Sequence, residues 1–216
     1  AATTGACGRR EPSEPHEAVT LFERVVIDEH GPTDPWGKAV GDIDGDGRPD
    51  LIVGGRTEGG LVWYAAPDWQ KRVISVEGAF STDHVVADVD GDGRNDIVSL
   101  MYDRLVWFRN GNWNVVEIDR RRLHDVEVAD FDGDGRVDIA ARGQMHSGGT
   151  GDTLHIYYQQ DGGWDHDEVS LPHGEGLATA DLNGDARTDI VVNGYWLVNP
   201  GGRNPVWKLL QFAREW

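Results

Sequence analysis

Short apolar runs, bounded by Gly, Asp and Asn, recur along the chain and predict β-strands. Each unit begins with an alternating run such as HVVADV, then carries an acidic stretch, and continues with a more uniformly apolar run such as IVSLM. An aromatic run such as LVWFRN follows, and a fourth run starts near a Trp, as in NWNVVEI. No segment shows a sustained helical period of 3.6 residues. The pattern therefore predicts an all-β protein with four strands in each unit.

The unit repeats at the spacing of a propeller blade. Its acidic stretch, D-x-D-G-D-G-x-x-D in three copies, starts at Asp42, Asp88, Asp130 and Asp181, so the spacings are 46, 42 and 51 residues. Repeats of about 40 to 50 residues with four strands are typical of β-propellers. We predict a flexible leader over residues 1–18 and a propeller domain over 19–216, with repeats at about 30–80, 81–122, 123–173 and 174–216. The recurring Trp side chains are expected to pack between neighbouring blades; they are Trp69, Trp113, Trp164 and Trp207.

One predicted strand lies outside the four complete units. Residues 19–29, VTLFERVVIDE, match the fourth strand of a unit and precede the first complete one. Two interpretations fit four complete blades and one N-terminal strand. In the favoured one, the chain is part of a propeller of roughly seven blades, whose open arc is closed by further blades or by another chain. In the other, four blades close by themselves and the extra strand lies elsewhere.

Charge and composition narrow the functional class. The net charge is −18, and the acidic stretches hold most of the excess, with four Asp in each of three and three in the fourth. No basic stripe offsets them, which argues against a nucleic-acid partner. No apolar run approaches the roughly 20 residues of a transmembrane helix. We expect a secreted, cell-surface or periplasmic protein. The lone Cys7 ends TGAC, which resembles the end of a bacterial lipoprotein signal but lacks the preceding apolar stretch, so a lipidated Cys7 and a featureless tail stay open.

Alternating carboxylates in a tight loop suit Ca²⁺, which takes six to eight oxygen ligands. Positions 1, 3, 5 and 9 offer side-chain oxygens and position 7 a main-chain carbonyl. An EF-hand is excluded because position 12 carries no Glu and the flanks read as strands. We predict up to four Ca²⁺ ions, the fourth the weakest, because Asn183 removes a charge and Ala186 replaces a Gly. The expected ligands are Asp42, Asp44, Asp46, Arg48 and Asp50; Asp88, Asp90, Asp92, Arg94 and Asp96; Asp130, Asp132, Asp134, Arg136 and Asp138; and Asp181, Asn183, Asp185, Arg187 and Asp189.

Together, the loop pattern and the blade spacing resemble the FG-GAP/VCBS repeats of integrin alpha-subunit propellers, fungal propeller lectins and secreted bacterial proteins. The resemblance spans about residues 19–216. It implies the propeller fold and calcium loops that stiffen the blades, while the activity resides elsewhere. Acidic turns that merely remain hydrated explain identical spacing in three loops less well.

A functional face is expected at the opposite ends of the first strands, where polar residues precede each blade. The predicted ligand-binding residues there are Trp36, Arg56, His84, His124, His146 and Glu175, and the candidate catalytic residues are His84, His124 and Arg142. His84 and His124 also fit a scaffold role, in which they hydrogen-bond across the channel.

Three functions remain after this reading. The leading one is a calcium-stabilised binding module for glycans or a protein partner. The second is an enzyme, a polysaccharide lyase or sugar dehydratase with His and Arg at the axial mouth. The third is a structural subunit of a larger surface assembly.

Overall fold

The computed structural model describes residues 22–143, 152–172, 174–203 and 205–213, and every regular element in these ranges is a β-strand. Consecutive strands group in fours, which we call blades 1 to 4; blades 1 and 2 are joined in one eight-stranded sheet, and blades 3 and 4 are four-stranded sheets. Blade 1 contains β1 (Gly37–Gly41), β2 (Asp50–Gly54), β3 (Leu61–Ala65) and β4 (Gln70–Ser75). Blade 2 contains β5 (Phe80–Ala87), β6 (Asp96–Met101), β7 (Arg104–Arg109) and β8 (Asn114–Asp119). Blade 3 contains β9 (Asp125–Ala129), β10 (Asp138–Arg142), β11 (Asp152–Gln160) and β12 (Gly163–Leu171). Blade 4 contains β13 (Leu177–Ala180), β14 (Asp189–Val192), β15 (Tyr195–Val198) and β16 (Lys208–Gln211).

Within each blade the strands run antiparallel in sequence order, as the four-strand pattern predicts. The first strands of blades 1 and 2 are also neighbours, joined by a parallel pair between Lys38 and Asp83. The hydroxyl of Thr82 in β5 donates to the carbonyl of His124, and the Val126 N–H donates to Asp83 (3.2 Å). The first strands of blades 1 to 3 therefore follow one another along an inner edge, as in a propeller.

The hydrophobic core lies between successive blades. In blades 1 to 3 the second and third strands are largely buried on both faces, which is why their sequences read as continuous apolar runs and do not alternate. Three clusters fill the three interfaces between blades. Their largest members are, from the first interface to the third, Trp63 and Phe108, Trp107 and Tyr157, and Tyr158 and Trp207.

In blades 2 to 4, the repeated Trp near the start of the fourth strand packs toward the preceding blade. Trp113, Trp164 and Trp207 each pack into the interface between their own blade and the preceding one. The prediction that these residues pack between blades is confirmed for those three. Trp69 of blade 1 is 37% exposed, because none of the described sheets precedes it.

An amide side chain near the end of the third strand follows the same direction. In blades 2, 3 and 4 it donates a hydrogen bond to the carbonyl of the second residue in the preceding blade's acidic loop. The three bonds join Asn110 to Ile43 (2.8 Å), Gln159 to Val89 (3.0 Å) and Asn199 to Phe131 (3.0 Å). Blade 1 has Ala66 at the equivalent position, with no amide to donate. Each of blades 2 to 4 is thus hydrogen-bonded to the acidic loop of the blade before it, and we call this bond the amide stitch.

The predicted N-terminal strand over residues 19–29 is wrong for the part that the structure describes, since residues 22–30 form no strand. This segment instead reaches the face of blade 1 that points away from blade 2, where Ile27 packs near Tyr64. Asp28 accepts a hydrogen bond from the Tyr64 hydroxyl (2.8 Å) and pairs with Lys71 (3.0 Å). Side-chain contacts anchor the segment, so its main chain adds no strand to the sheet. The predicted leader, residues 1–18, lies outside the described residues.

No helix long and apolar enough to span a bilayer is found in the described part of the chain.

Candidate functional site

Each acidic loop joins the first two strands of its blade and folds around its first aspartate. The Asp42 carboxylate accepts N–H groups from Gly45 (2.8 Å), Asp46 (3.1 Å) and Gly47 (2.9 Å). Gly47 has a φ of 83°, a conformation that glycine adopts without a Cβ penalty. Bonds of the same kind recur in the loops that begin at Asp88, Asp130 and Asp181. The spacing of Asp and Gly therefore encodes the loop locally.

The last aspartate of each loop is buried and connects three parts of its blade. Asp50 accepts the Ile43 N–H from the loop (2.9 Å) on one oxygen and the Ala66 N–H beyond the third strand (2.9 Å) on the other. Equivalent bonds are made by Asp96, Asp138 and Asp189. This explains why charge directly precedes an apolar strand: the carboxylate is hydrogen-bonded to main-chain donors as it enters the core.

Carboxylates at positions 1, 3 and 9 converge in three loops. One oxygen from each lies within 4.8 Å of the others, in the sets Asp42, Asp44 and Asp50; Asp88, Asp90 and Asp96; and Asp130, Asp132 and Asp138. Burial raises the pKa of Asp96, and it raises that of Asp138 to about 6. Keeping these carboxylates ionised costs free energy, which a divalent cation would offset. The donor sets fit a hard cation such as Ca²⁺.

The carboxylates at position 5 lie outside these sets and face the arginine at position 7. Asp46 accepts the Arg48 N–H (2.8 Å), and Asp92 pairs with the Arg94 guanidinium. Holding a cation with all four carboxylates would require the position-5 side chain to turn away from its arginine. The arrangement was not visible in the spacing alone.

The fourth loop keeps the fold of the others with a weaker donor set. Asp181 accepts the N–H groups of Gly184 (2.7 Å), Asp185 (3.2 Å) and Ala186 (2.9 Å). Asn183 uses its side-chain oxygen to accept the Asp185 N–H (2.8 Å), so one charge is lost without a change in the turn. Ala186 has a φ of 65°, so it adopts the left-handed conformation of the glycines at the same position in the other three loops.

A cleft of about 240 Å³ lies at the strand ends opposite the acidic loops. Trp36 precedes β1 and carries the Arg56 guanidinium 4.1 Å from its ring centre. Tyr102, in the turn between β6 and β7, carries the Arg122 guanidinium at 4.8 Å. Phe80 contributes to the wall between them. We call this the aromatic cleft; it pairs two exposed aromatic rings with two cations.

His84 does not line the aromatic cleft. Its ring is buried against Gly37 and Gly54, where a Cβ would lie only 2.2 and 2.5 Å from His84 Nε2, and its Nδ1 is 2.8 Å from the Ser99 hydroxyl. Burial, with a contribution from Lys38, lowers the pKa of His84 to about 3. His84 is thus a buried side chain that bonds Ser99 on the neighbouring strand of its own blade, and not a residue across the channel as the scaffold interpretation expected.

A second polar group surrounds the start of β9. His124 Nδ1 is 3.2 Å from Asp125 Oδ1, and this hydrogen bond raises the pKa of His124, with a further contribution from Glu175. Arg142 is fully buried, with its guanidinium 3.9 Å from Asp125. Two strand positions further on, burial and the carboxylates of Asp83 and Asp125 raise the pKa of Glu127 to about 7. Glu127 is therefore the carboxyl of this group whose pKa is brought close to neutral pH.

The single face predicted from the sequence is therefore divided. Trp36 and Arg56 meet in the aromatic cleft, His124, Arg142 and Glu175 belong to the second group, and His146 lies outside the described residues. Sequence reasoning missed Tyr102 and Arg122, which only the tertiary fold brings to Trp36. It also missed Glu127, which two-residue alternation with Asp125 in the first strand of blade 3 could have indicated.

The repeat architecture agrees with a comparison of the chain with protein families. The FG-GAP-like repeat matches three overlapping stretches, residues 42–99, 88–141 and 130–192, which together span more than half of the chain. The chain belongs to the FG-GAP-like repeat family. Each matched stretch starts at the first aspartate of one acidic loop and ends within the second strand of the next blade. The family signature therefore coincides with the loops described above.

Among solved structures, this FG-GAP-like chain is similar to the V. cholerae biofilm matrix protein Bap1. The similarity has a TM-score of 0.51 at 21% sequence identity and covers 84% of this chain but only 32% of that one. At this identity it supports the fold. No curated protein sequence matches the chain.

Proposed function

We propose that this FG-GAP-like protein is an extracellular, calcium-stabilised binding module that holds an anionic glycan in the aromatic cleft. The observation that carries the proposal is the pairing of exposed Trp36 and Tyr102 with Arg56 and Arg122. An aromatic face suits the apolar side of a sugar ring, and guanidinium groups recognise carboxylates and sulfates with two parallel hydrogen bonds. The structural similarity to a protein of a biofilm matrix supports an extracellular setting.

Binding of uronic-acid oligosaccharides tests this proposal. Isothermal titration should detect binding to the wild type and a loss of about tenfold or more in Trp36→Ala and Arg122→Gln, because stacking and charge pairing would each be removed. Trp69→Ala is the matched control, since Trp69 is also partly exposed but lies outside the cleft. Neutral oligosaccharides should bind more weakly. Equal binding by all variants, or binding of a protein ligand only, would contradict the glycan assignment.

The acidic loops are proposed to bind up to four Ca²⁺ ions. Convergence of the position 1, 3 and 9 oxygens within 4.8 Å supports three of these sites, and the fourth loop is included because it keeps the same turn with a weaker donor set. Four ions would change the net charge from −18 to −10, which lowers the repulsion of an anionic ligand. Ions that bind only the folded chain raise its stability, so chelation should lower Tm measurably. Asp130→Asn should reduce this response, and a calcium titration should fill the fourth loop last; an unchanged Tm after chelation contradicts the assignment.

An enzyme remains a second candidate because His124, Asp125 and Glu127 cluster beside Arg142. A carboxylate-paired His and a carboxyl with a pKa near 7 suit proton transfer from a sugar. Unsaturated products formed from an acidic polysaccharide by the wild type, and abolished in His124→Asn, would favour a lyase. Clean binding without turnover favours the module.

The arc of blades is also proposed to belong to a larger propeller, of roughly seven blades, or to a surface assembly that closes it. Residue 2 of each acidic loop supports this. Ile43, Val89 and Phe131 are 4%, 2% and 1% exposed because the next blade covers them, whereas Leu182 of blade 4 is 48% exposed. Trp196 lies on the same open face, opposite Val191 in the sheet register. A further FG-GAP-like blade, with an amide to donate to the Leu182 carbonyl, would fit there as the existing blades fit one another.

A further inference from the structure

Blade 3 carries a cluster of nitrogen and oxygen donors on its third and fourth strands, outside the acidic loops. His155 and Glu168 face each other directly across β11 and β12, and His166 stands opposite Tyr157, one pair along the same face. Alternation in the strands places all four side chains toward blade 2, where Tyr157 joins the core between blades 2 and 3. His155 is buried, while His166 and Glu168 are accessible from solvent. The cluster therefore lies at the rim of a seam, open on one side.

The three donor atoms form a compact triangle. His155 Nδ1 is 3.0 Å from His166 Nε2 and 3.4 Å from Glu168 Oε1, and His166 Nε2 is 3.8 Å from Glu168 Oε1. Zn²⁺ binds imidazole nitrogen and carboxylate oxygen at about 2.0–2.2 Å, so two ligands of one ion lie no more than about 4.4 Å apart. All three separations satisfy this limit without movement of the strands.

A cation already contacts two of these atoms. Arg121 Nη1 lies 3.0 Å from His155 Nδ1 and 3.0 Å from Glu168 Oε1. The Arg121 guanidinium also pairs with Asp119, which accepts a hydrogen bond from the Tyr157 hydroxyl (2.6 Å). Arg121 Nη1 is also 3.5 Å from His155 Nε2, so the guanidinium lies over the face of the His155 ring. Asp119 provides a partner for Arg121 when another cation takes its place.

We propose that His155, His166 and Glu168 form a binding site for a divalent transition-metal ion of the zinc class at the seam between blades 2 and 3. Two imidazoles and one carboxylate suit Zn²⁺ and related ions, whereas the oxygen-only acidic loops suit Ca²⁺. Binding would displace the Arg121 guanidinium toward Asp119 and join β11 to β12 beside the loop from blade 2. The site does not depend on the glycan or calcium proposals.

The protonation states agree with this assignment. Burial and the Arg121 charge lower the pKa of His155 to about 4, and the same causes lower that of His166. The hydrogen bond from Arg121 lowers the pKa of Glu168. At neutral pH both imidazoles are neutral and the carboxylate is ionised, which are the states in which they bind metal.

Titration of the calcium-saturated protein with Zn²⁺ alone tests the site. A millimolar excess of Ca²⁺ occupies the acidic loops, and calorimetry at pH 7.5 should find one saturable Zn²⁺ per chain. His166→Gln and Glu168→Gln should weaken binding by at least tenfold, because each removes a ligand at an accessible position. Arg121→Gln should strengthen it severalfold by removing the competing cation. Tm without Zn²⁺ confirms that each variant is folded, and the buried His155 is left intact for that reason.

Two matched variants serve as controls. His30→Gln removes an exposed histidine of the N-terminal segment, and Asp167→Asn removes a carboxylate from the opposite face of β12. Both should bind Zn²⁺ as the wild type does. Co²⁺ in place of Zn²⁺ should give a ligand-field absorption band that His166→Gln loses. The proposal is overturned if the wild type shows no saturable Zn²⁺ binding, or if His166→Gln and Glu168→Gln bind as tightly as the two controls.

Discussion

At position 6 of the fourth acidic loop, Ala186 has a methyl side chain where the other three loops have a glycine. Ala186 adopts a φ of 65°, and the glycines at the same place in the other loops have φ values of 83–88°. A left-handed conformation costs an L-residue about 1 kcal/mol or more relative to Gly. The fourth loop thus combines backbone strain with one carboxylate fewer.

Ala186→Gly should therefore stabilise the protein by about 0.5–1 kcal/mol, the relief of strain being partly offset by the greater freedom of Gly in the unfolded chain. Denaturant unfolding measures the change. Gly93→Ala, at the same position of the second loop, is the reciprocal control and should destabilise by a similar amount. A loss of stability in Ala186→Gly would show that the methyl group makes a contact worth more than the strain.

Glu127 predicts a specific dependence of stability on pH. Its pKa is raised to about 7 by burial and by Asp83 and Asp125, so the folded state holds this proton more tightly than the unfolded state. The stabilisation of the folded state that this proton provides is fully present below about pH 4.5, declines as pH rises, and is lost above about pH 7. Allowing for the partial exposure of the group, the loss is about 1–2 kcal/mol.

Glu127→Gln should accordingly gain stability relative to the wild type between pH 4.5 and 8, and the difference in free energy of unfolding measures it. Taking the difference cancels the titration of other groups. Glu117→Gln is the control, because the hydrogen bond from Arg120 lowers the pKa of Glu117, so its effect on stability is lost only at and below about pH 4.5 and the difference should be nearly flat above that. A wild-type-minus-variant difference that stays flat with pH would exclude the raised pKa.

The roles of single residues were predictable from the sequence where the residues that they contact are close in sequence. The acidic loops follow from the spacing of Asp and Gly, since the partners of Asp42 lie within five residues. His84 and Arg56 depend on residues brought together by the fold, such as Gly54 beneath the His84 ring and Trp36 beside Arg56. Spacing cannot report burial, so the sequence placed both on one face when only Arg56 lines the cleft.

Among the elements, the strands and their order within a blade were predictable because each carries its own apolar pattern. The N-terminal segment was not, because its apolar residues indicate a buried face without indicating whether the main chain pairs. Ile27 is partly buried by packing on a sheet, with Asp28 fixing the segment through Tyr64 and Lys71. Contact of that kind leaves the same apolar signature as a paired strand.

The amide stitch between blades leads to a prediction at this scale. Asn110→Ala removes hydrogen bonds to the Ile43 and Asn95 carbonyls, both 2.8 Å long, and leaves partly buried acceptors without that donor. We expect a loss of about 1–3 kcal/mol in stability by denaturant unfolding. Asn114→Ala, an exposed position on β8, should change stability little. Equal effects of the two substitutions would mean that the stitch contributes nothing beyond a surface amide.

For the whole molecule, the open face of blade 4 defines a measurable surface. In a Cys7→Ser background, Leu182→Cys should react quickly with maleimide in this 216-residue chain, because Leu182 is half exposed. Val89→Cys, at the equivalent but covered position, should react slowly. When a closing blade or partner is present, the Leu182→Cys rate should fall to that of Val89→Cys. Continued fast labelling in the closed assembly would place the added surface elsewhere.

The direction of the stitches also bears on how the chain reaches its fold. Asn110, Gln159 and Asn199 each reach back to a loop that precedes them in sequence, and Trp113, Trp164 and Trp207 pack in the same sense. Synthesis delivers the N-terminal parts of a protein first. Each blade that leaves the ribosome therefore finds the acidic loop of the preceding blade already synthesised, and it supplies the amide and the Trp that contact that blade. Blades are thus added one at a time at the C-terminal end of the arc. While synthesis continues, the newest blade exposes the face that the next blade will cover.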